Sequence, residues 1–139
     1  MDMIFIVILA ARDRLKSLEW YKDKLHLDEG DTYTIAYGMI NNAFGLPTDT
    51  TSSLTMIQAG RMPIVEVDDY PDATIERPTN PGCLPPGNSL VTLAVRSFGS
   101  LALNWITPPA VQDGPVYAGR RSGTVVGPSG ELLELIELG

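Results

Sequence analysis

Apolar and polar positions along this chain form one pattern that then restarts. Ile4-Phe5-Ile6-Val7-Ile8-Leu9-Ala10 is a continuous apolar run rich in β-branched residues, as in a strand covered on both faces. A buried helical turn would read similarly, but Asp13 offers an N-cap just afterwards and fixes where a helix begins. Leu15, Leu18, Trp20, Tyr21 and Leu25 then recur at helical spacing and make one apolar stripe, with Arg14, Lys16, Lys22 and Lys24 mostly away from it. Such a helix lays its stripe on one face of a sheet and leaves the other face free. Asp28-Glu29-Gly30-Asp31 reads as a turn. Tyr33, Ile35, Tyr37 and Met39 alternate with Thr32, Thr34, Ala36 and Gly38, a period-two strand. Asn41-Asn42 and Gly45-Leu46-Pro47 break it. Residues 53–58 and 64–68 supply two more strands.

Residues 71–87 carry five prolines, Pro71, Pro78, Pro81, Pro85 and Pro86, and little periodicity. They read as an extended linker or a functional flap. The pattern then starts again. Residues 90–95 form an apolar strand, Ser97 is a second N-cap, and Phe98, Leu101, Ala102 and Trp105 predict a helix ended by Pro108-Pro109. Residues 115–118, 123–126 and 132–136 predict three further strands, with Gly127-Pro128-Ser129-Gly130 turning between the last two. The chain thus divides into a first βαβββ module at 1–70, a linker at 71–88 and a second module at 89–139. Ile6 precedes Asp13 by seven residues and Leu90 precedes Ser97 by seven, while Glu66 and Glu134 fall in the closing strands, so the repeat is in register.

Composition narrows the chemistry. The chain of 139 residues is 44% hydrophobic, enough for one compact domain or two small halves sharing a core. No apolar run approaches the ~20 residues that span a bilayer, and no basic region precedes the first apolar run, so no signal peptide is expected. The single cysteine, Cys83, makes no internal disulfide, which fits a cytoplasmic location, and no nearby basic group activates it. A net charge of −7, with five of ten basic residues in or beside the first helix, argues against nucleic acid as a partner. No phosphate-cradling glycine loop occurs in a strand-loop-helix setting.

Two segments carry a family resemblance: Arg12-Asp13-Arg14-Leu15-Lys16-Ser17-Leu18-Glu19-Trp20-Tyr21 and Gly127-Pro128-Ser129-Gly130-Glu131-Leu132-Leu133-Glu134-Leu135. The chain resembles the vicinal-oxygen-chelate superfamily, which groups glyoxalase I, bleomycin-resistance proteins and extradiol dioxygenases. The resemblance implies an α+β fold: two βαβββ modules forming paired curved mixed sheets around a cleft, helices outside, usually as a homodimer. It also implies that metal-binding members use ligands on the first and fourth strand of each module. Carried over, these positions are Ile6 and Leu90, which cannot bind a cation, and Glu66 and Glu134, which match. Zinc and iron sites draw on several His, Cys or carboxylate ligands. The chain has one histidine, His26, at the end of the first helix, so neither a catalytic metal nor another cofactor is expected.

Alternation places Ile4, Ile6, Ile8, Leu90, Thr92 and Ala94 on the cleft face, with Ile64, Glu66, Asp68, Leu132, Glu134 and Ile136. The result is an apolar cleft with few polar groups, as in small-molecule sites. Glu134, hemmed by Leu132, Leu133, Leu135 and Ile136, is the sharper acid/base candidate, because apolar surroundings disfavour a charged carboxylate; an ordinary ion pair to Arg120 or Arg121 is the alternative. Glu66 is the second candidate, beside exposed-looking Asp68-Asp69. Tyr33, Tyr37 and Met39 form either an aromatic wall of the cleft or part of the helix-side core. Tyr117 and Arg120 sit near the second module's mouth, where an arginine could hold an anion. The first functional reading is a metal-independent binder of a small, largely apolar or aromatic organic molecule. The second is a lyase or isomerase in which Glu134, with Glu66, moves a proton beside a carbonyl. A purely structural dimerising module is the third; inward-facing glutamates count against it.

Overall fold

The computed structural model describes residues 6–75, 78, 80, 81, 83 and 90–139. The chain divides into two compact units, Met1–Glu76 and Arg77–Gly139, each with one four-stranded mixed sheet. The fold is α+β. The first unit runs β1 (Val7–Ala11), α1 (Arg14–Leu25), β2 (Asp28–Ala36), α2 (Gly38–Ala43), β3 (Thr51–Ala59) and β4 (Met62–Asp69). Its sheet order is β1-β4-β3-β2, with β1 parallel to β4 and the other pairs antiparallel. Residues 4 and 5 of the first apolar run, and about half of the proline-rich segment, lie outside the described residues.

α1 begins where the cap predicts. The Asp13 carboxylate accepts the Lys16 backbone N–H at 3.0 Å, satisfying one of the helix's unpaired first-turn donors. His26 ends the helix in the left-handed region (φ 55°), its N–H donating to the Tyr21 carbonyl, with Lys22 and Lys24 in the last turn complementing the dipole. The helix buries Ser17, Leu18, Tyr21 and Leu25 over Val65, Val67 and Ile57 of the sheet, all essentially inaccessible to solvent. Removing any one of these apolar side chains costs roughly 2–5 kcal/mol. Leu15, expected in the apolar stripe, is 67% exposed. At ~100° per residue the centre of the buried arc passes through position 14, not 15. Arg14 occupies the sheet-facing place in the first turn, its guanidinium donating to Thr55 (2.7 Å) and Asp69 (2.9 Å).

Residues 28–31 do not form a turn. They open β2, pairing Asp28 with Gln58 and Glu29 with Ile57 before a bulge ahead of Thr32. The reversal is made by His26 instead, and Gly30 lies so close to Gln58 that a Cβ would meet its amide oxygen at 2.7 Å. β2 also stops at Ala36. Tyr37 is the residue before α2, and Met39 sits on that helix, 76% exposed. The Asn41 side chain donates to the Thr48 and Thr50 carbonyls. Those bonds tie α2 to the following loop and explain why the alternation ends there.

The second unit runs β5 (Val91–Val95), a single 3-10 turn (Phe98–Ser100), β6 (Trp105–Val111), β7 (Arg121–Val126) and β8 (Leu132–Glu137), in sheet order β5-β8-β7-β6. The expected second α-helix is absent from it. Ser97 caps only the 3-10 turn, its hydroxyl accepting the Gly99 N–H, and residues 105–111 are a strand that contains Pro108-Pro109. That strand is at the sheet edge, and its pairing with β7 skips across both prolines between Thr107 and Ala110. An edge strand tolerates proline because its outer N–H groups have no ladder to complete. The strand expected at 115–118 is the turn between β6 and β7. In place of a helix, Phe98 and Trp105 meet edge to face at 5.3 Å between centroids. They lie on the sheet side that carries Val125, Leu133 and Leu135, all buried. Glu137 on this side accepts the Phe98 N–H and pairs with Arg121, whose guanidinium lies 5.4 Å from the Phe98 ring centre.

Gly123 is the contact point of this arrangement. An added Cβ would sit 2.9 Å from the Trp105 ring and 3.0 Å from the Thr107 carbonyl oxygen. Gly123→Ala is predicted to destabilise the chain by about 1–3 kcal/mol, read as a lower urea midpoint at unchanged slope; an unchanged midpoint would show that Trp105 does not pack there.

Candidate functional site

In each unit the closing strand presents a glutamate on the sheet face opposite the one just described. On β4, Val65 and Val67 point to α1, so Glu66 and Asp68 take the other face. Register sets their neighbours: Glu66 lies between Ile8 of β1 and Met56 of β3, and Asp68 between Ala10 and Leu54. On β8, Leu133 and Leu135 face the Phe98–Trp105 layer, and Glu134 takes the opposite face between Thr92 of β5 and Thr124 of β7. Both glutamates are buried, with 6% and 7% of their surfaces exposed.

Each is held by a tyrosine from the connection between the unit's second and third strands. The Tyr37 hydroxyl donates to Glu66 Oε1 at 2.8 Å, and the Tyr117 hydroxyl to Glu134 Oε1 at 3.0 Å. Burial, reinforced by the bond to Glu66, pushes the Tyr37 phenol well above its usual range. The bond to Glu134 raises that of Tyr117. Tyr117 reaches its partner from a tight loop, where Ala118 (φ 51°) and Gly119 (φ 78°) both take left-handed backbone and the Arg120 guanidinium donates to the Tyr117 carbonyl. The halves differ in one respect. Thr92 donates to Glu134 Oε2 at 2.8 Å, so both carboxylate oxygens of Glu134 accept hydroxyl bonds. The equivalent position beside Glu66 is Ile8, which has nothing to donate.

Asp68 stands apart. It is 2% exposed, and neither carboxylate oxygen has a hydrogen-bond partner among the described residues. Burial, with the Glu66 charge next in importance, raises its pKa to about 7. Apolar surface adjoins the acids in the first unit. Ile8 is 53% exposed and Tyr33 48%, the latter on the Leu54–Asp68 face.

The residues expected at a site are thus partly brought together. Glu66 with Tyr37, and Glu134 with Thr92 and Tyr117, meet through hydrogen bonds. Ile8 lines Glu66. Ile6 and Leu90 lie two residues before Ile8 and Thr92, the residues paired with the glutamates. Met39 and Arg120 are exposed and contribute no side-chain bond to either glutamate among the described residues. No arginine pairs with Glu134 there: Arg121 is bonded to Glu137 on the opposite sheet face. Asp68 was expected to be exposed and is not. Alternation puts it on the face of Glu66; the strand register sets it opposite apolar Leu54.

Glu66 is paired with an alkyl side chain, Ile8, and Glu134 accepts a hydroxyl bond on each oxygen. Among the described residues no group of three His, Cys, Asp or Glu side chains is placed to hold an ion.

No family model and no curated protein matches the sequence. Solved structures do resemble it. A glyoxalase family protein from Bacillus cereus superposes with a TM-score of 0.71 at 14% identity, over 99% of this chain and 94% of that one. A glyoxalase family protein from Enterococcus faecalis gives 0.63 at 17% identity, over 98% of each chain. A glyoxalase I mutant from Zea mays gives 0.63 at 13% identity, over 95% of this chain and 44% of that one. The chain therefore has the vicinal-oxygen-chelate fold, the fold of the glyoxalase, bleomycin-resistance and dioxygenase superfamily. At these identities the likeness establishes the fold alone.

Asp68 makes stability depend on pH in a defined direction. A carboxyl whose folded pKa is raised binds more protons folded than unfolded between about pH 4 and pH 7, so stability falls as pH rises through that window. Asp68→Asn is predicted to melt with the native chain near pH 4 and at least about 2 °C above it at pH 8, the shift that roughly 1 kcal/mol produces at this size. A variant less stable than the native chain at pH 8 would contradict this origin for the burial.

Proposed function

We propose that this chain is a glyoxalase/bleomycin-resistance-like protein that binds a small, largely apolar or aromatic organic molecule on the sheet faces that carry Glu66 and Glu134, without a catalytic metal. The observation that carries this is the repeated tyrosine-held glutamate, buried in both units on the sheet face opposite Val65 and Val67 or Leu133 and Leu135. A face serving only as core would gain more from an apolar residue at these positions, since a buried carboxylate must be partnered to be tolerated. Apolar walls with a few fixed polar groups are the usual makeup of a ligand site. The fold alone does not choose the ligand. The reading includes a cytoplasmic homodimer, as the family resemblance implies, with neither nucleic acid nor membrane as partner. No helix among the described residues is long and apolar enough to cross a membrane.

A second reading makes the chain a lyase or isomerase working by proton transfer. It is favoured by Asp68, a carboxyl titrating near neutrality two residues from Glu66, which is the range a general acid or base requires.

Two measurements test the proposal. Native mass spectrometry of the purified chain is predicted to reveal a bound small organic molecule. Its affinity should fall about tenfold in Glu134→Gln, which replaces an acceptor oxygen by a donor amide. Elemental analysis of the same sample is predicted to show no stoichiometric Fe, Mn, Ni or Zn. Equal affinity in the variant, or one metal ion per chain, would overturn the reading, whereas turnover of the released compound by the native chain but not by the variant would favour the enzyme.

A further inference from the structure

The connection between β2 and β3 is built as one piece. Its ends meet, because Ala36 pairs with Thr51, and residues 37–50 between them are bonded to each other. The Asn41 amide donates to the carbonyls of Thr48 (3.2 Å) and Thr50 (2.7 Å). Backbone bonds run from the Leu46 N–H to the Asn41 carbonyl (2.8 Å) and from the Thr50 N–H to the Pro47 carbonyl (3.0 Å). Within the segment Asn41 alone is buried, while Met39 and Phe44 are exposed. A surface loop of about 6–16 residues with joined ends and internal packing is an Ω-loop. Its buried side chain bonds within the loop itself, so moving the loop as a whole breaks none of these bonds. Two aromatic side chains fasten it to the sheet. Tyr37 leaves the end of β2, and its hydroxyl meets Glu66 Oε1 on β4 at 2.8 Å. β3 lies between those strands, so the Tyr37 ring crosses it on the Glu66 face. Phe44 meets Tyr70, just beyond β4, edge to face at 6.4 Å between centroids, toward the long end of such contacts. Gly38, beside Tyr37, has no atom within 4 Å of where a Cβ would stand, which leaves the backbone room to turn there. The matching connection of the second unit is made differently. Backbone bonds from Gln112 to the Arg120 carbonyl (2.9 Å) and from Gly119 to the Gln112 carbonyl (3.2 Å) zip it shut beside β6 and β7, and Glu134 has Thr92 as a second donor.

We propose that residues 37–50 are a flap that moves as one body over the Glu66 face, and that the Tyr37–Glu66 bond is its latch. Closed, the flap lays the Tyr37 ring across β3 and covers part of that face. Open, it withdraws the phenol, uncovers the face and frees Glu66 Oε1 to accept another donor. Opening breaks one side-chain hydrogen bond and one ring contact, and it keeps every bond inside the flap. Segments held by few buried apolar contacts open at the least cost, and a few residues at the ends of an element are enough to serve as the hinge. The latch also selects what the opened face takes. A molecule with an O–H or N–H group beside an apolar surface replaces the phenol at Glu66, and its apolar part meets exposed Ile8 and Tyr33. The two units thus divide the work: Glu134 stands under a fixed loop, Glu66 under a movable one. That the flap admits a ligand rests on the reading that this sheet face binds one; that the flap moves does not.

Spin-label distances in the full, unliganded chain test this. With Cys83 changed to Ser, one label goes on the flap (Met39→Cys) and one on the sheet (Met62→Cys), both at exposed positions. A second pair, Leu15→Cys with Met62→Cys, also exposed, reports the rest of the unit. The native chain is expected to give one dominant, narrow flap-to-sheet distance. Tyr37→Phe should raise the open-to-closed ratio about tenfold, the effect of losing one hydrogen bond to a carboxylate, and so add a second distance while the Leu15–Met62 distance stays fixed. Asn41→Ala, which removes the bonds that make the flap one body, should instead spread the flap distance into a broad distribution. An unchanged narrow distance in either variant overturns the proposal. So does a Leu15–Met62 distance that changes with Tyr37→Phe, because the bond then holds the sheet and not a flap. A chain that binds no small molecule would defeat the binding reading and leave this result standing.

Discussion

A carboxylate placed on the inner register of a sheet must find donors or lose its charge, and that constraint organises both halves of this chain. β4 and β8 each alternate large apolar residues toward a covering layer with an acid toward the other face. The cost of burying the acid is met locally, by a tyrosine hydroxyl carried on the connection between the second and third strands. The shape of those connections follows from the same requirement. α2, with its Asn41 bonds to the Thr48 and Thr50 carbonyls, sets the connection that begins at Tyr37. The left-handed pair Ala118-Gly119 folds the short loop that carries Tyr117. Two different backbone solutions deliver the same hydroxyl to the same strand position.

The halves diverge on their other faces without disturbing this. The first unit covers Val65 and Val67 with a capped helix whose leading contact is an arginine reaching a buried threonine. The second covers Leu133 and Leu135 with an edge-to-face pair of Phe98 and Trp105 on a 3-10 turn and an edge strand. A helix and an aromatic pair are interchangeable as covers because hydrophobic burial is non-directional. The glutamate–tyrosine bond is directional and is kept in both. The difference that does bear on chemistry is small, an Ile8 in one half where the other has Thr92. It leaves Glu66 with fewer donors than Glu134, next to a second buried acid, Asp68.

Much of this was legible in the residues. The first strand, the Asp13 cap, the α1 stripe and the closing strands were carried by periodicity and capping, signals that depend only on neighbours in sequence. Alternation also put Glu66, Asp68 and Glu134 on the face away from Val65, Val67, Leu133 and Leu135. The failures share a cause, which is that tertiary context overrode local preference. Phe98, Leu101, Ala102 and Trp105 have helical spacing, but the segment becomes an edge strand because β7 offers Gly123 as a flat seat for Trp105. Asp28 to Asp31 have turn composition, yet β3 supplies a pairing partner. Leu15 has the spacing of a core residue, but the buried arc of α1 is centred on Arg14. The burial of Asp68 needed the register of Leu54 against it, which no single-strand pattern contains.

The account rests on the hydroxyl–carboxylate bond as a real contributor to the fold and not a surface coincidence. A double-mutant cycle of Tyr37→Phe and Glu66→Gln, followed by urea unfolding at pH 7, measures that bond directly. The account predicts a favourable coupling on the order of 1 kcal/mol between the two side chains. Two changes whose effects simply add, with no coupling, would contradict it.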